Sequence, residues 1–214
     1  MSPTHHIPDE WLVAYASGRC SAAEEVLTAT HLTLCPQCRD HLALAETAAA
    51  AALVEVSPVA LDPSGLDALM ARLDEPEPKP PPVPSTDPVL PWPILRFTGP
   101  IRDLNWSWLA PHVVGVDLPQ ATEGLPMRLI KMKAGSYMPH KHTGNEASVL
   151  LAGGWSDSTG DYRRGDAGFY GPETGDHDQR IHDDEDCIAL VLNDERAKVE
   201  GVLASRIAHW LFKI

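Results

Sequence analysis

A proline-rich stretch divides this chain and limits what can form on either side of it. Nine of the 18 residues from Pro76 to Pro93 are proline. Proline lacks the backbone N–H and clashes with the preceding helical turn, so this stretch is best interpreted as an extended, semi-rigid spacer and not as a helix. We therefore expect the 214 residues to form two domains, 1–75 and 94–214, joined by a linker at 76–93.

The chain is acidic, and its charge is unevenly distributed. It has 17 Lys and Arg against 30 Asp and Glu, a net charge of −13. Residues 1–75 hold 3 basic and 11 acidic residues (−8), which leaves 14 and 19 (−5) for the rest. Direct nucleic-acid binding uses clustered Lys and Arg, so the charge argues against it. An acidic small domain instead suits a basic protein surface.

Neither a membrane span nor a signal peptide is evident in the sequence. The alanine-rich run 43–54 is shorter than the ~20 apolar residues of a membrane helix, and the N-terminus has no basic region followed by an apolar one. We therefore expect a cytoplasmic protein without membrane contact. In that reducing compartment the four cysteines are expected to be metal ligands or free thiols.

The segment before the spacer has the pattern of short helices. Pro8 is suited to a helix start, Ser21 and Glu24 have the spacing of a capping box, and Asp62-Pro63 precedes a helical apolar period. About 75 residues bury only a marginal core, so a small helical bundle of this size often needs a staple.

The staple predicted by the sequence is a metal ion. The motif His31-x3-Cys35-x2-Cys38 places three ligand-type side chains within eight residues. Zinc prefers four such ligands in a tetrahedron, with thiolate and imidazole favoured. Four residues elsewhere in the domain are candidates for the fourth ligand: His5, His6, Cys20 and His41.

His31-x3-Cys35-x2-Cys38, with a histidine about 25 residues upstream, resembles the zinc-binding anti-sigma domain of bacteria. The resemblance covers residues 1 to about 75. It implies a zinc-stabilised helical bundle with His6 as the upstream ligand and His5 as the alternative. It also implies that this domain binds a sigma factor of the extracytoplasmic-function type and blocks its contact with RNA polymerase.

The segment after the spacer has the pattern of strands. Short apolar runs are separated by Gly-rich or Asp-rich breaks, which indicates a sandwich or barrel. The predicted strands are Val113–Val116, Met127–Met132, Ala147–Ala152, Ala167–Tyr170 and Cys187–Leu192. From Lys198 onward the apolar residues follow a helical period, so a C-terminal helix is expected to dock on the sheet.

A second metal motif lies within these strands. His140 and His142 are two apart, so on a strand they share a face, and Glu146 follows a turn. Two imidazoles and a carboxylate on an inner face can bind a divalent metal. The stretch from His140 to Gly153 resembles the first motif of the cupin family, although four residues instead of the usual five separate Gly135 from His140.

A second cupin motif would supply one more histidine from a later hairpin. Residues 165–177 have the expected order of glycines, proline and histidine, with spacings that slip by one or two residues and no trailing asparagine. The resemblance therefore implies His177 as the fourth ligand, with His182 as a competitor. The metal could be zinc or another divalent ion.

Together the two motifs resemble the ChrR class of anti-sigma factors over nearly the whole chain. The resulting expectation is a two-domain α+β protein, with a zinc-stabilised helical bundle followed by a cupin jelly-roll. It implies a regulator, not an enzyme, that releases its sigma factor under oxidative stress such as singlet oxygen, with the cupin as the sensor. The alternative is a cupin metalloenzyme, such as a dioxygenase, fused to a zinc-binding interaction domain.

Overall fold

The computed structural model describes residues 2–60, 62–75, 86–118, 126–141, 144–174, 176–194 and 198–199. Within this part the α-helices come first and the strands follow, which confirms the predicted α+β organisation. The helices are α1 (Asp9–Ala16), α2 (Ala22–Leu34), α3 (Pro36–Val54), α4 (Ser64–Ala71) and α5 (Trp92–Thr98).

The strands form two antiparallel sheets of a jelly-roll sandwich. They are β1 (Ser107–Ala110), β2 (Val113–Asp117), β3 (Met127–Met132), β4 (Tyr137–Lys141), β5 (Glu146–Ala152), β6 (Gly154–Asp157), β7 (Gly160–Arg163), β8 (Ala167–Tyr170), β9 (Asp176–Ile181), β10 (Cys187–Asn193) and β11 (Lys198–Val199). The first sheet has the order β1-β2-β3-β10-β5-β8, and the second has the order β11-β4-β9-β6-β7.

The paired strands β5 and β10 of the first sheet are buried on both faces. In β10, Ala189 and Val191 lie in the core between the sheets, whereas Leu190 and Leu192 lie in a second core shared with the N-terminal helices. A strand covered on both sides is apolar throughout rather than alternating. The continuous apolar runs in β5 and β10 are therefore explained by the helices that cover the outer face of this sheet.

Local signals in the sequence start the N-terminal helices. Pro8 precedes α1, and Ser21 and Glu24 form a reciprocal capping box at the start of α2. The third helix begins at Pro36, and the Cys35 Sγ caps it by accepting a hydrogen bond from the Cys38 N–H. Within the described residues no helix has both the length and the apolar character of a membrane span.

The end of the predicted spacer is structured. The Asp87 carboxylate accepts hydrogen bonds from the N–H groups of Val89, Leu90 and Ile101. Leu90 is 2% exposed and lies in the core that also contains α2, and Trp92 begins α5. Pro93 is tolerated there because the N–H groups of a first helical turn have no intrahelical partner. Residues 76–85 lie outside the described part, and the domain boundaries stay a prediction.

The predicted C-terminal helix begins differently from the expectation. Lys198 and Val199 form β11, which pairs with Lys141 and His140 at the edge of the second sheet. The helical period of the sequence did not show that one edge of β4 would be open for these two residues to pair with. The rest of the predicted helix, 200–214, lies outside the described residues.

Candidate metal centres

Four ligand-type side chains meet where the start of the chain crosses the junction of α2 and α3. His6 comes from the segment before α1, His31 from the last turn of α2, and Cys35 and Cys38 from the turn that begins α3. One ligand atom from each lies within 4.8 Å of all the others. Hereafter these four residues are called the N-terminal cluster.

The geometry of the N-terminal cluster suits a tetrahedral metal ion. His31 Nε2 lies 3.2 Å from Cys38 Sγ, and His6 Nδ1 lies 3.3 Å from Cys35 Sγ. Zinc bonds of about 2.0 Å to nitrogen and 2.3 Å to sulfur would hold such a pair about 3.5 Å apart. The donor set of two imidazoles and two thiols therefore fits a metal ion at this position.

Burial shifts the pKa values of two members of this cluster, His31 and Cys38. His31, Cys35 and Cys38 are fully buried. Burial lowers the pKa of His31 to about 4, so its imidazole is neutral and can donate a lone pair to a metal. Burial likewise raises the pKa of the Cys38 thiol to about 11. A metal ion must therefore displace a proton from that sulfur when it binds.

The other three candidates for the fourth ligand lie elsewhere. The His5 Nδ1 atom faces Thr4 and Asp166, and its ring stacks on Tyr162 at 4.1 Å. The Cys20 thiol contacts the carbonyl of Trp11, and His41 pairs with Asp9. The fold thus brings His6, not its neighbour, to the cysteines, which residue spacing could not decide.

The predicted cupin ligands are described only in part. The backbones of His140 in β4 and His177 in β9 pair directly opposite each other, and their side chains lie outside what the structure describes, as does all of His142. Glu146 is buried at the start of β5 in the other sheet. The assignment of His140, His142, Glu146 and His177 as metal ligands stays a prediction.

The sequence analysis did not identify Asn193 as a hydrogen-bond partner of Glu146. The side-chain N–H of Asn193 donates to Glu146 Oε2 at 3.0 Å, and the two residues are paired between β10 and β5. Such a contact can orient a metal-binding carboxylate. The sequence feature that could have indicated this contact is the polar Asn193 directly after the apolar run 187–192.

His182, the competitor of His177, has partners on another hairpin. Its Nε2 lies 2.9 Å from Ser156 Oγ and 3.1 Å from the Asp161 carboxylate. These two residues belong to β6 and β7, respectively. These contacts account for Nε2, whereas the buried Nδ1 atom of His182 has no hydrogen-bond partner among the described residues.

The sequence and the fold of this chain are similar to those of known proteins. Residues 96–195 match the family model of the ChrR Cupin-like domain. The anti-sigma-E factor ChrR of Cereibacter sphaeroides is 33% identical over 205 residues, which cover 95% of each chain. In the crystal structure of Rhodobacter sphaeroides SigE in complex with the anti-sigma ChrR, a chain with 31% identity matches with a TM-score of 0.77, over 90% of this chain and all of that one.

These similarities extend over both the helical part and the sandwich. They confirm the resemblance inferred from the two motifs and agree with a regulator rather than an enzyme. The chain belongs to the ChrR family of anti-sigma factors.

Proposed function

We propose that this protein binds a sigma factor of the extracytoplasmic-function type through residues 1–75 and keeps it from RNA polymerase. The observation that carries the proposal is the similarity along almost the whole chain to ChrR, which has been crystallised with SigE. The proposed partner is a protein, and neither nucleic acid nor a membrane is bound directly.

An exposed apolar surface is available for this partner. We call it the apolar arm, and it comprises the end of α3, the following loop, α4 and the short 3-10 helix Arg72–Asp74. Its large side chains are 55 to 88% exposed: Leu53, Val54, Val56, Val59, Leu66, Leu69, Met70 and Leu73. Helix α4 buries none of its side chains against the rest of the described chain. Large apolar side chains exposed in this number along one stretch of chain favour a protein-binding site.

Charge favours the same partner. Residues 1–75 carry a net charge of −8, from 3 basic and 11 acidic residues. A sigma factor binds promoter DNA and therefore presents basic surface. An acidic domain with an apolar arm can attract that surface over distance and then bury apolar contacts against it.

Zinc at the N-terminal cluster has a structural role in this proposal. Its two thiolate and two imidazole ligands would tie the start of the chain to α2 and α3, and structural zinc contributes directly to folding free energy.

The cupin-like part would hold a second metal, zinc or another divalent ion, through His140, His142, Glu146 and His177. That part would sense oxidative stress such as singlet oxygen and weaken the hold on the sigma factor. We further propose that both proteins act in the cytoplasm.

Substitutions in the apolar arm test the binding surface. Leu69→Glu combined with Met70→Glu should lower affinity for the sigma factor at least about 10-fold, because burying a charge at an interface is costly. Both residues are more than half exposed, so stability should not change. Trp108→Glu is the matched control, since Trp108 is equally exposed but lies on β1. Titration calorimetry that gives equal affinities for the wild type and the double variant would exclude the arm.

Substitutions in the cupin-like part test the division of roles. His140→Ala or His177→Ala should leave sigma binding intact and blunt the release of the sigma factor under singlet oxygen, measured with a promoter reporter. Loss of binding by either variant with an intact fold would contradict separate roles for the two parts.

A further inference from the structure

The first residues of the chain lie against the cupin-like part, although 161 positions separate His5 from its partner Asp166 there. We call residues 3–7 the N-terminal strap. The carbonyl of His5 accepts a hydrogen bond from the Ala167 N–H at the start of β8, and the His5 ring stacks on Tyr162 of β7. Ile7 is buried in the core that contains both α2 and β10. The strap is therefore bound by β7, β8 and the turn that connects these two strands.

One carboxylate anchors the strap. Asp166 is 2% exposed. Its Oδ1 accepts hydrogen bonds from the N–H groups of Thr4 at 2.6 Å and His5 at 2.9 Å, and its Oδ2 accepts from the Arg163 N–H at 2.7 Å. Hydrogen bonds to an ionised group are the stronger ones, and together they offset the cost of burying the charge.

The turn that carries Asp166 is itself fixed. The carbonyl of Asp166 accepts from the Leu150 N–H, and the Gly165 N–H donates to the Leu150 carbonyl, so the turn is tied to the middle of β5. Gly165 has a φ of +96° and lies against Pro3, where a Cβ would come within 2.7 Å of Pro3 Cγ. The turn between β7 and β8 thus presents the carboxylate from a rigid position.

The residue that follows the anchored pair is a member of the N-terminal cluster. His6 has no helix or strand of its own to place it, because α1 begins only at Asp9. Its Nδ1 nevertheless lies 3.3 Å from Cys35 Sγ. The described contacts that fix the backbone immediately before His6 come from the cupin-like part.

We propose that Asp166 is a positioning residue for the metal ion of the N-terminal cluster, and that the cupin-like part sets through it how tightly the helical part holds that ion. The inference rests on the proposed metal site and adds a route for regulation. Any rearrangement of the turn between β7 and β8 would move the backbone of His5 and with it His6. Because coupling is reciprocal, loss of the metal would also loosen the contact between this turn and the strap.

Asp166→Asn tests the positioning role in the full chain. The substitution keeps the shape of the side chain but turns one acceptor into a donor that faces a backbone N–H. Chelator-driven release of cobalt should become roughly 10-fold faster or more, as for other residues that support a metal ligand. The readout is the sulfur-to-cobalt charge-transfer band, which reports the N-terminal cluster because the proposed cupin ligands include no cysteine. Asp184→Asn is the control, since Asp184 lies nearby on the surface and pairs with the side chain of Arg163.

Hydrogen exchange of the wild type provides a second measurement that needs no variant. Removal of the metal should speed exchange of the Ala167 amide, although that amide lies outside the N-terminal cluster. Unchanged cobalt release in Asp166→Asn, or unchanged Ala167 exchange on metal removal, would overturn the inference. Sigma binding by the wild type is measured separately. Its failure would refute the proposed function while leaving the cobalt result to decide the role of Asp166.

Discussion

His5 and His6 show how adjacent residues of one type are given different roles by their surroundings. His6 lies beside Cys35, and His5 lies on the cupin-like part, stacked on Tyr162. Only His6 can complete a four-ligand set with the buried thiols. The pair therefore offers a test of the metal site in which the control differs from the variant by a single position.

We predict that His6→Asn reduces metal affinity at the N-terminal cluster by at least about 100-fold, because zinc loses one of its four ligands. His5→Asn should retain affinity within a few-fold, because it removes the stacked ring and its Nδ1 contacts with Thr4 and Asp166 but keeps the backbone contacts with Asp166 and Ala167. Competition with a chromogenic chelator measures both. Equal losses in the two variants would show that the ligand is wrongly assigned.

Helix α5 depends on a polar turn at the end of the proline-rich stretch. Partial burial acts to raise the pKa of Asp87, but the N–H groups of Leu90, Ile101 and Val89 hold it below its ordinary value. Ionised Asp87 is thus favoured in the folded state. Its contribution to the free energy of unfolding is fully present at pH values above the ordinary pKa of an aspartate. That contribution is lost as the pH falls through the lowered pKa of Asp87 in the folded state.

Asp87→Ala should lower the free energy of unfolding by about 2 kcal/mol at neutral pH, since it leaves three N–H donors without their acceptor. Asp103→Ala is the matched control, because Asp103 is an exposed carboxylate in the same segment. Urea denaturation gives both values. A loss below about 0.5 kcal/mol for Asp87→Ala, equal to that of the control, would contradict this account of how α5 begins.

Elements with a local signal were predictable, and those held by distant contacts were not. The capping box at Ser21 predicted the start of α2, and apolar runs predicted β3, β5 and β10. Helix α5 was missed because it begins inside the proline-rich stretch and contains Pro93, whereas burial of Leu90 and Ile94 stabilises it. For the same reason the choice between His5 and His6 required the fold, since it depends on Asp166, 161 residues away.

At the scale of the whole molecule, the helical part and the sandwich share one core. One buried cluster contains Leu27, Cys35 and Cys38 of the helical part together with Val149 of β5 and Leu190 of β10. This continuity suggests that the two parts do not unfold independently. The proline-rich stretch separates the two parts in sequence, whereas their packing joins them.

Metal removal should therefore destabilise the whole chain and not the helices alone. We predict that a chelator lowers the midpoint of thermal unfolding equally when it is followed by helical circular dichroism and by the fluorescence of the tryptophans, which include Trp155 buried between the sheets. Coincident transitions are the signature of a single cooperative unit. A helical transition that moves down while the fluorescence transition stays in place would contradict the shared core.

The central claim, that this chain keeps a sigma factor from RNA polymerase, is tested most directly by transcription in vitro. RNA polymerase core enzyme, an extracytoplasmic-function sigma factor from the same organism and its promoter are combined with increasing amounts of the metal-loaded chain. The account predicts that transcript falls to background at about one chain per sigma factor, and that a Cys35→Ser, Cys38→Ser double variant does not inhibit. Undiminished transcription at a large excess of the metal-loaded chain would contradict the account.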